Sequence, residues 1–579
     1  MISRFRTVSQ AILCGSVLLL LASCKTTGTA KSAPRSGEGG PVAAVPGDSE
    51  VQPERAPSGG VAEEIRRLTE TGQLASMQQA MELIRGRDLG GTEFGRVMNA
   101  VNVALIRRVY GDTDSDLPTP DLPQTHMYAR ILRNAERGTY AAPPPESSDY
   151  LECVLPFLAL IDETQQEPLL AALPDLQRAQ DLRPDSVLAP YFTALVYERT
   201  WRLAEARAAY TAVLAIAGDC YPATLGLSRV QELSGNGRDA LRMLAELSDQ
   251  HPGNMPIMRQ YAIAAYKSGD WAHAEPIIAE TLRKNPRDGE FLLMRSHILV
   301  ETGQYMQAQG SLDTYASFSP FNRLYLFLRA RIQAEAFRNR DQALSFLRPL
   351  LRSYPGDEEA SLYAAGLLLE SSRSEDQTEG RELLRQMLAN SRPSLPALSL
   401  GLQDAINRES WQEAQGFLGR LLAERRSGKD LYDAYLVERG LGNNTRALSY
   451  ARELFERNTR DDNGIATYIS ALIDLGRTAE ASRLIAQRLA VHSSGQEKSR
   501  YLYLRSRIGA NEEAVMADLS SALFENPRNL NALIDLFEIY HRRKDSRRAV
   551  YYLKQALALA PGNSRLRRYE GEYSGLLGN

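Results

Sequence analysis

Five alanines, Ala172, Ala206, Ala240, Ala274 and Ala308, stand 34 residues apart without a slip. Prolines keep the same interval at Pro252, Pro286 and Pro320, with Pro184 two periods upstream of Pro252. Near the C-terminus Ala481, Val515 and Ala549 resume it, accompanied by Pro527 and Pro561. A fixed period of this length is the signature of stacked helix-turn-helix units, each too small to bury its own apolar face alone. At 579 residues the chain also exceeds what one ordinary core holds. A stacked array is a long binding surface and seldom carries its own chemistry.

One unit runs from Met255 to Pro286 plus two linking residues. Met258, Tyr261, Ala262 and Ala265 make one apolar stripe on its first helix. Gly269-Asp270 breaks that helix, with glycine suited to the left-handed position after a helix and aspartate to the next N-cap. Ala274, Ile278 and Thr281 form one face of the second helix, which stops near Pro286. The small side chains Ala262 and Ala274 let the two helices approach.

This pattern resembles the tetratricopeptide repeat. The closest match starts at Leu530 and carries Leu533, Leu536, Phe537, Tyr540, Ala549, Leu553, Ala556 and Pro561. Other units start near Cys153, Val187, Tyr221, Gly289, Leu324, Glu358, Leu395, Gly428, Asp462 and Gln496. Phe537 and Arg331 depart from the pattern by standing where a small residue is usual, and Ser371 to Gln377 adds polar residues between two helices. The resemblance implies an all-α fold, a right-handed superhelical α-solenoid of about 12 such units. It would occupy residues 150–563, followed by a C-terminal capping helix over 564–579. Residues 61–149 are expected to form an N-terminal helical cap or degenerate repeats, with Gly72 at a helix break and Met77, Met81 and Ile84 after it. One helix is expected at about Gln124 to Arg137.

The first sixty residues have a different character. Arg4 and Arg6 precede an apolar stretch from Ala11 to Ala22. At about 12 residues it is short of the ~20 needed to span a bilayer and suits a signal peptide. Its end, Leu21-Ala22-Ser23-Cys24, resembles the bacterial lipobox. The resemblance implies a lipoprotein signal peptide at 1–23, lipid (palmitate among it) on Cys24, and attachment of the chain to a membrane. Lys25 in place of aspartate favours the outer over the inner membrane by analogy with enterobacterial sorting. Residues 24–60 are rich in Gly, Ala, Pro, Ser and Thr, and are expected to form a disordered linker reaching roughly 30–35 Å. Cys153 and Cys220 occupy nearly equivalent positions two units apart, roughly 20 Å at ordinary helix spacing, so two separate buried thiols are expected rather than a disulfide.

Motifs that carry chemistry are sparse. Gly235-Asn-Gly237-Arg-Asp-Ala240 fits a dinucleotide pattern in letters, but sits between two helices with no strand before it. Asp112, Asp114 and Asp116 imitate a calcium loop, yet Leu117 and Pro123 replace its essential glycine and glutamate. His126, His251, His273, His297, His492 and His541 are scattered over different units without a metal-ligand spacing. The expectation is therefore no enzyme, no metal and no cofactor. The 68 basic against 71 acidic residues give no reason for a nucleic-acid partner.

What remains is surface. Carried over from the repeat family, the positions that line its concave protein-binding groove are Phe157, Ile161, Tyr191, Leu195, Leu225, Arg229, Arg259, Ile263, Tyr266, Leu293, His297, Tyr325, Leu328 and Ile332. The asparagine used by chaperone-tail clamps is missing, which argues against that form of carboxylate recognition. A basic cluster, His541 to Lys544 with Arg547, Arg548, Arg565, Arg567 and Arg568, could meet an anionic partner. Together these features imply an envelope scaffold that binds other proteins through its groove. A surface-exposed adhesin for host cells is the alternative.

Overall fold

The computed structural model describes residues 59–111, 122, 126–319, 321–561 and 563–573. The expected signal peptide, Cys24, nearly all of the linker and the Asp112–Asp116 loop lie outside them. Among the described residues the chain is helical, with twelve helix-turn-helix repeats in succession. Their first (A) helices begin at Tyr150, Leu188, Tyr221, Met255, Gly289, Arg323, Glu358, Leu395, Gly428, Asp462, Gly495 and Leu530, within three residues of the expected starts. By contacts the chain divides into two compact units, Met1–Ala343 and Leu344–Asn579.

Local chemistry sets these boundaries. Side chains of Asn254, Asp288, Asp357, Ser394, Asp461 and Asn529 accept hydrogen bonds from the free backbone N–H groups opening their A helices. Between A and B helices the chain turns through a left-handed residue: Gly235, Gly269, Gly303, Gly442 and Gly476 have φ between 76° and 83°. The B helices of repeats 1, 3, 4, 11 and 12 end at Arg183, His251, Asn285, Asn526 and Ala560, whose φ values lie between −127° and −144°. Each of these residues precedes one of the periodic prolines, whose ring disfavours the helical conformation before it. The periodic alanines Ala172, Ala206, Ala240, Ala274, Ala308, Ala481 and Ala549 are all buried where helices cross.

Two repeats depart from the simple plan. In repeat 1 the A helix runs only from Tyr150 to Val154 and continues as a tighter 3-10 stretch, Leu155–Leu160, in which Pro156 has no N–H to donate. Its B helix is split at Ala172 into Gln166–Ala171 and Leu173–Leu182, the latter opening with Pro174. In repeat 7 the polar residues expected between helices mostly extend the second one, which starts at Ser374. Its entry is held by the buried hydroxyl of Ser371 donating to Asp376.

In the first unit the N-terminal helices Gly59–Glu70, Leu74–Gly86 and Glu93–Leu105 are followed by a wider π-helical turn, Ile106–Tyr110, and by Met127–Glu136. Met77, Met81 and Ile84 are buried as their spacing predicts. Gly72 has φ +70° and an added Cβ would come 2.3 Å from Leu188, so both backbone and packing demand glycine. These helices do not merely close the start of the array. Val187 N–H donates to Thr71 O at 3.0 Å, Arg183 Nε to Glu70 at 2.8 Å, and Arg108 to Leu158 O at 3.0 Å. The Tyr221 hydroxyl donates to Tyr110 O. One hydrophobic core therefore runs from Ile65 through repeats 1–3 to Ala264.

In the second unit Phe537, at a position where the repeat family has a small residue, is fully buried. Tyr569 packs edge-on to it at 4.9 Å, so the C-terminal helix Ser564–Glu570 fills the room that a thirteenth repeat would use. Cys153 and Cys220 are both free and buried.

Candidate functional site

An A helix of a stacked array has one side against its own B helix, one against the neighbouring A helices, and a remaining side that can meet a partner. The fourteen groove positions sort by burial. Phe157, Tyr191, Leu195, Leu225, Leu293, His297, Tyr325, Leu328 and Ile332 are buried; Ile161, Arg229, Arg259, Ile263 and Tyr266 are partly exposed. The expectation of exposed aromatics at Phe157, Tyr191 and Tyr325 is thus corrected. Phe157 stacks on Phe192 at 4.8 Å, Tyr191 meets Tyr210 edge-on at 6.0 Å, and Tyr325 lies 5.6 Å from Tyr315. In repeats 1–3 the core shared with the N-terminal helices encloses these positions.

The polar members of the set are committed to neighbouring repeats. Arg229 donates from Nε to Glu198 Oε1 at 2.7 Å and from Nη2 to Oε2 at 3.0 Å, and the Tyr210 hydroxyl donates to the same carboxylate at 2.6 Å. Glu198 belongs to the A helix of repeat 2 and Arg229 to that of repeat 3. Tyr266 and His297 Nδ1 share a hydrogen bond of 2.6 Å between repeats 4 and 5. His297 Nε2 lies 3.7 Å from Glu301, which pairs with Arg331 of repeat 6. Arg331 Nε also donates to Glu335 at 2.9 Å, and the Tyr305 hydroxyl donates to Glu335 at 2.8 Å. In the second unit Arg507 pairs with Asp474, a further link between consecutive A helices. The partners of these inter-repeat bonds are separated by 30 to 33 residues, close to one repeat. A repeating fold brings equivalent helix positions side by side, so a single polar pair can tie one repeat to the next.

Burial pushes the Glu301 carboxyl up, but the bond from His297 and the charge of Arg331 outweigh it and bring it down to about 2. The Arg331 guanidinium, though desolvated, is raised by Glu335 and Glu301. This string of side chains, running from partly exposed Tyr266 to the buried pairs of Arg331, explains how an arginine stands where the repeat family has a small residue. Sequence spacing showed Arg331 as a departure; the signal that it would be paired was Glu301, thirty residues earlier.

Arg259, Ile263 and Tyr266 remain as the partly exposed stretch of the A helix of repeat 4. Arg259 sits 4.6 Å above the Phe291 ring and pairs with Asp288 and Glu290, leaving its side chain 39% exposed. Ile263 and the Tyr266 ring lie one and two turns further along. Together they present an apolar strip with a cation at one end and a ring at the other.

Two clefts, of about 480 and 690 Å³, open between the N-terminal helices and repeat 1. Arg66 and Asp149 line both, and the Tyr128 hydroxyl donates to Asp149 at 2.7 Å in the first. Arg66 pairs with Asp149 and with the same hydroxyl, so these polar groups satisfy one another. Among the described residues no three His, Cys, Asp or Glu side chains gather as a metal site. Gly235-Asn-Gly237 is the turn between Tyr221–Leu233 and Gly237–Gln250, with Gly235 at φ +83°.

Residues 202–262 match the tetratricopeptide repeat family, from the B helix of repeat 2 into the A helix of repeat 4. No curated protein matches the sequence. Among solved structures, the chain is similar to pilF of Pseudomonas aeruginosa, with 22% identity, TM-score 0.33, and coverage of 37% of this chain and 95% of that one. It is also similar to a tetratricopeptide repeat protein from Parabacteroides merdae, with 15% identity, TM-score 0.36, and coverage of 43% and 97%. Yeast Tom70 is 12% identical at TM-score 0.33, covering 72% of this chain and 94% of its own. The chain thus carries tetratricopeptide-type repeats, which are as a class scaffolds for protein–protein interaction.

Proposed function

We propose that this chain is a membrane-anchored scaffold of the bacterial envelope that captures other proteins on the A-helix face of repeat 4. The observation that carries the reading is the contrast along that face. In repeats 1–3 most groove positions belong to the core shared with the N-terminal helices and in repeats 5 and 6 all of them are buried, whereas in repeat 4 Arg259, Ile263 and Tyr266 stay partly exposed. An apolar strip flanked by a guanidinium and an aromatic ring suits an extended or helical peptide, which needs apolar contact and an anchoring donor. Of the remaining groove positions, Ile161 and Arg229 are partly exposed and would extend the contact only at its margin.

Anchoring rests on the sequence ending in Cys24, since no described helix is long and apolar enough to cross a membrane. Lipid on Cys24 would fix location, the glycine- and proline-rich residues after it would set reach, and the repeats would supply the partner site. Outer-membrane sorting is part of the same proposal.

The test is in-cell photo-crosslinking from Ile263 and Tyr266, with buried Tyr191 as the internal comparison. The expected result is one envelope protein captured from both exposed positions and nothing from Tyr191. No capture from Ile263 or Tyr266, or equal capture from Tyr191, would remove the groove reading. Capture only after host material is added, together with protease sensitivity on intact cells, would transfer the chain to the adhesin class. Labelling with a palmitate analogue, lost in Cys24→Ala, is expected for the anchor.

A further inference from the structure

Between Arg542 and Arg568 the sequence holds nine Lys and Arg residues and a single acid, Asp545, in a chain whose net charge is −3. The structure gathers most of this charge on one surface of repeat 12. Arg542 ends the A helix, Arg543 and Lys544 form the exposed turn before the B helix Ser546–Leu559, and that helix carries Arg547, Arg548 and Lys554 outward. Arg547, Tyr551 and Lys554 are spaced by four and three residues, so they form one stripe about 10 Å long. Carboxylates offset part of this charge. Glu512 pairs with Arg543 at 2.6 Å and lies 3.7 Å from Arg542, while Asp545 lies 3.6 Å from Arg548. Arg542, Arg543 and Lys544, and likewise Arg547 and Arg548, are adjacent in sequence and so lie within the Debye length of ~8 Å at physiological salt, and their potentials add.

Tyr551 stands in the middle of the cations and is 58% exposed. Its ring meets Tyr552 edge-on at 5.1 Å; Tyr552 in turn stacks on Tyr540 at 5.6 Å, and Arg548 caps Tyr540 at 5.3 Å. The exposed ring is therefore held by an aromatic pile rather than free to fold back.

We propose that this face of the last repeat docks on an anionic phospholipid surface. Cations on an exposed helix face are attracted by the negative potential of such a surface. A tyrosine among them has an apolar body and a polar tip, which is the combination that settles at headgroup level. A soluble polyanion would satisfy the cations but leave the held ring without a purpose. The contact is small, so the binding it gives is weak and reversible. The inference does not rest on the groove reading or on lipid at Cys24, and it is tested without the latter.

The experiment uses the full chain carrying Cys24→Ser, sedimented with phosphatidylcholine vesicles with or without phosphatidylglycerol. The parent and all variants share residues 1–22, so differences are read against one background. Binding is expected to be stronger with phosphatidylglycerol than with phosphatidylcholine alone, and the difference is expected to weaken with salt. Arg547→Ala and Lys554→Ala should each lower the partition coefficient about fivefold, and together about 25-fold. Tyr551→Ala should lower it while leaving the salt dependence unchanged, because the ring carries no charge. Circular dichroism of the variants, all at exposed positions, checks that the fold persists. Equal binding to phosphatidylcholine alone, or no change in the Arg547→Ala/Lys554→Ala chain, overturns the proposal. Tighter binding to inorganic polyphosphate that Tyr551→Ala leaves untouched also overturns it, in favour of a polyanion surface.

Discussion

The buried triad Glu301–Arg331–Glu335 gives a prediction whose size can be worked out. The side chains are 4%, 7% and 10% exposed, so none is screened by bulk water. Glu301 has a carboxyl brought from 4.5 to about 2 in the folded chain. Because the folded value lies below the unfolded one, the stabilisation is complete above pH 4.5 and is lost as pH falls toward 2. The difference corresponds to about 3 kcal/mol. Replacing Arg331 by methionine keeps the volume but leaves two carboxylates buried without their partner, which costs about 3–5 kcal/mol. The damage is local in a repeat array, so amide hydrogen exchange in Gly289–Glu301 and Arg323–Glu335 is the appropriate assay. At neutral pH, Arg331→Met should lose protection there by about 150-fold, after correction for intrinsic exchange. Below pH 4.5 the parent should lose protection. The variant should lose less than the parent, since only His297 is left to oppose the burial that favours the neutral form of Glu301. A chain carrying Glu301→Leu, Arg331→Met and Glu335→Leu should recover most of the loss, because apolar side chains of similar volume suit the site. Unchanged protection in Arg331→Met, with parent and variant following parallel pH profiles, would refute the coupling.

Gly226→Ala should lower the thermal midpoint, because its Cβ would sit 2.2 Å from the ring of fully buried Tyr210; a cost of about 1–3 kcal/mol is expected, and an unchanged melt would contradict the packing. Trp201, 63% exposed, takes the left-handed turn position with φ +62°, so Trp201→Gly should stabilise the chain by roughly 1 kcal/mol; a loss in a urea titration would show that the indole makes a contact worth more than the strain. In a chain with Cys14 and Cys24 changed to serine, burial pushes the Cys153 and Cys220 thiols up, so neither should react with a thiol reagent at neutral pH until denaturant is added. Rapid modification of the native chain would count against that burial.

The repeat boundaries were legible because each depends on a few adjacent residues. A proline forces the residue before it out of the helix, a glycine accepts the left-handed turn, and an aspartate or asparagine caps the next N–H groups; none of these effects needs a distant partner. The alanine period marks helix crossings for the same reason, since only a small side chain fits between two backbones there. Membership of an exposed groove was less legible. Phe157, Tyr191 and Leu225 hold the expected register positions, yet share a core with helices that precede them by up to about 160 residues and have no place in the period. Arg229, Arg259 and His297 likewise stand at groove positions but pair with groups in adjoining repeats.

Sequence by itself therefore determined the array, its period and the place of nearly every turn, since these are set by backbone preferences that act over four or five residues. Tertiary structure alone decided which faces stay open, because burial depends on what packs against a side chain. Here that was settled by the non-repeating N-terminal helices in the first unit, by buried ion pairs between neighbouring A helices, and by the short C-terminal helix that closes over Phe537 in the second.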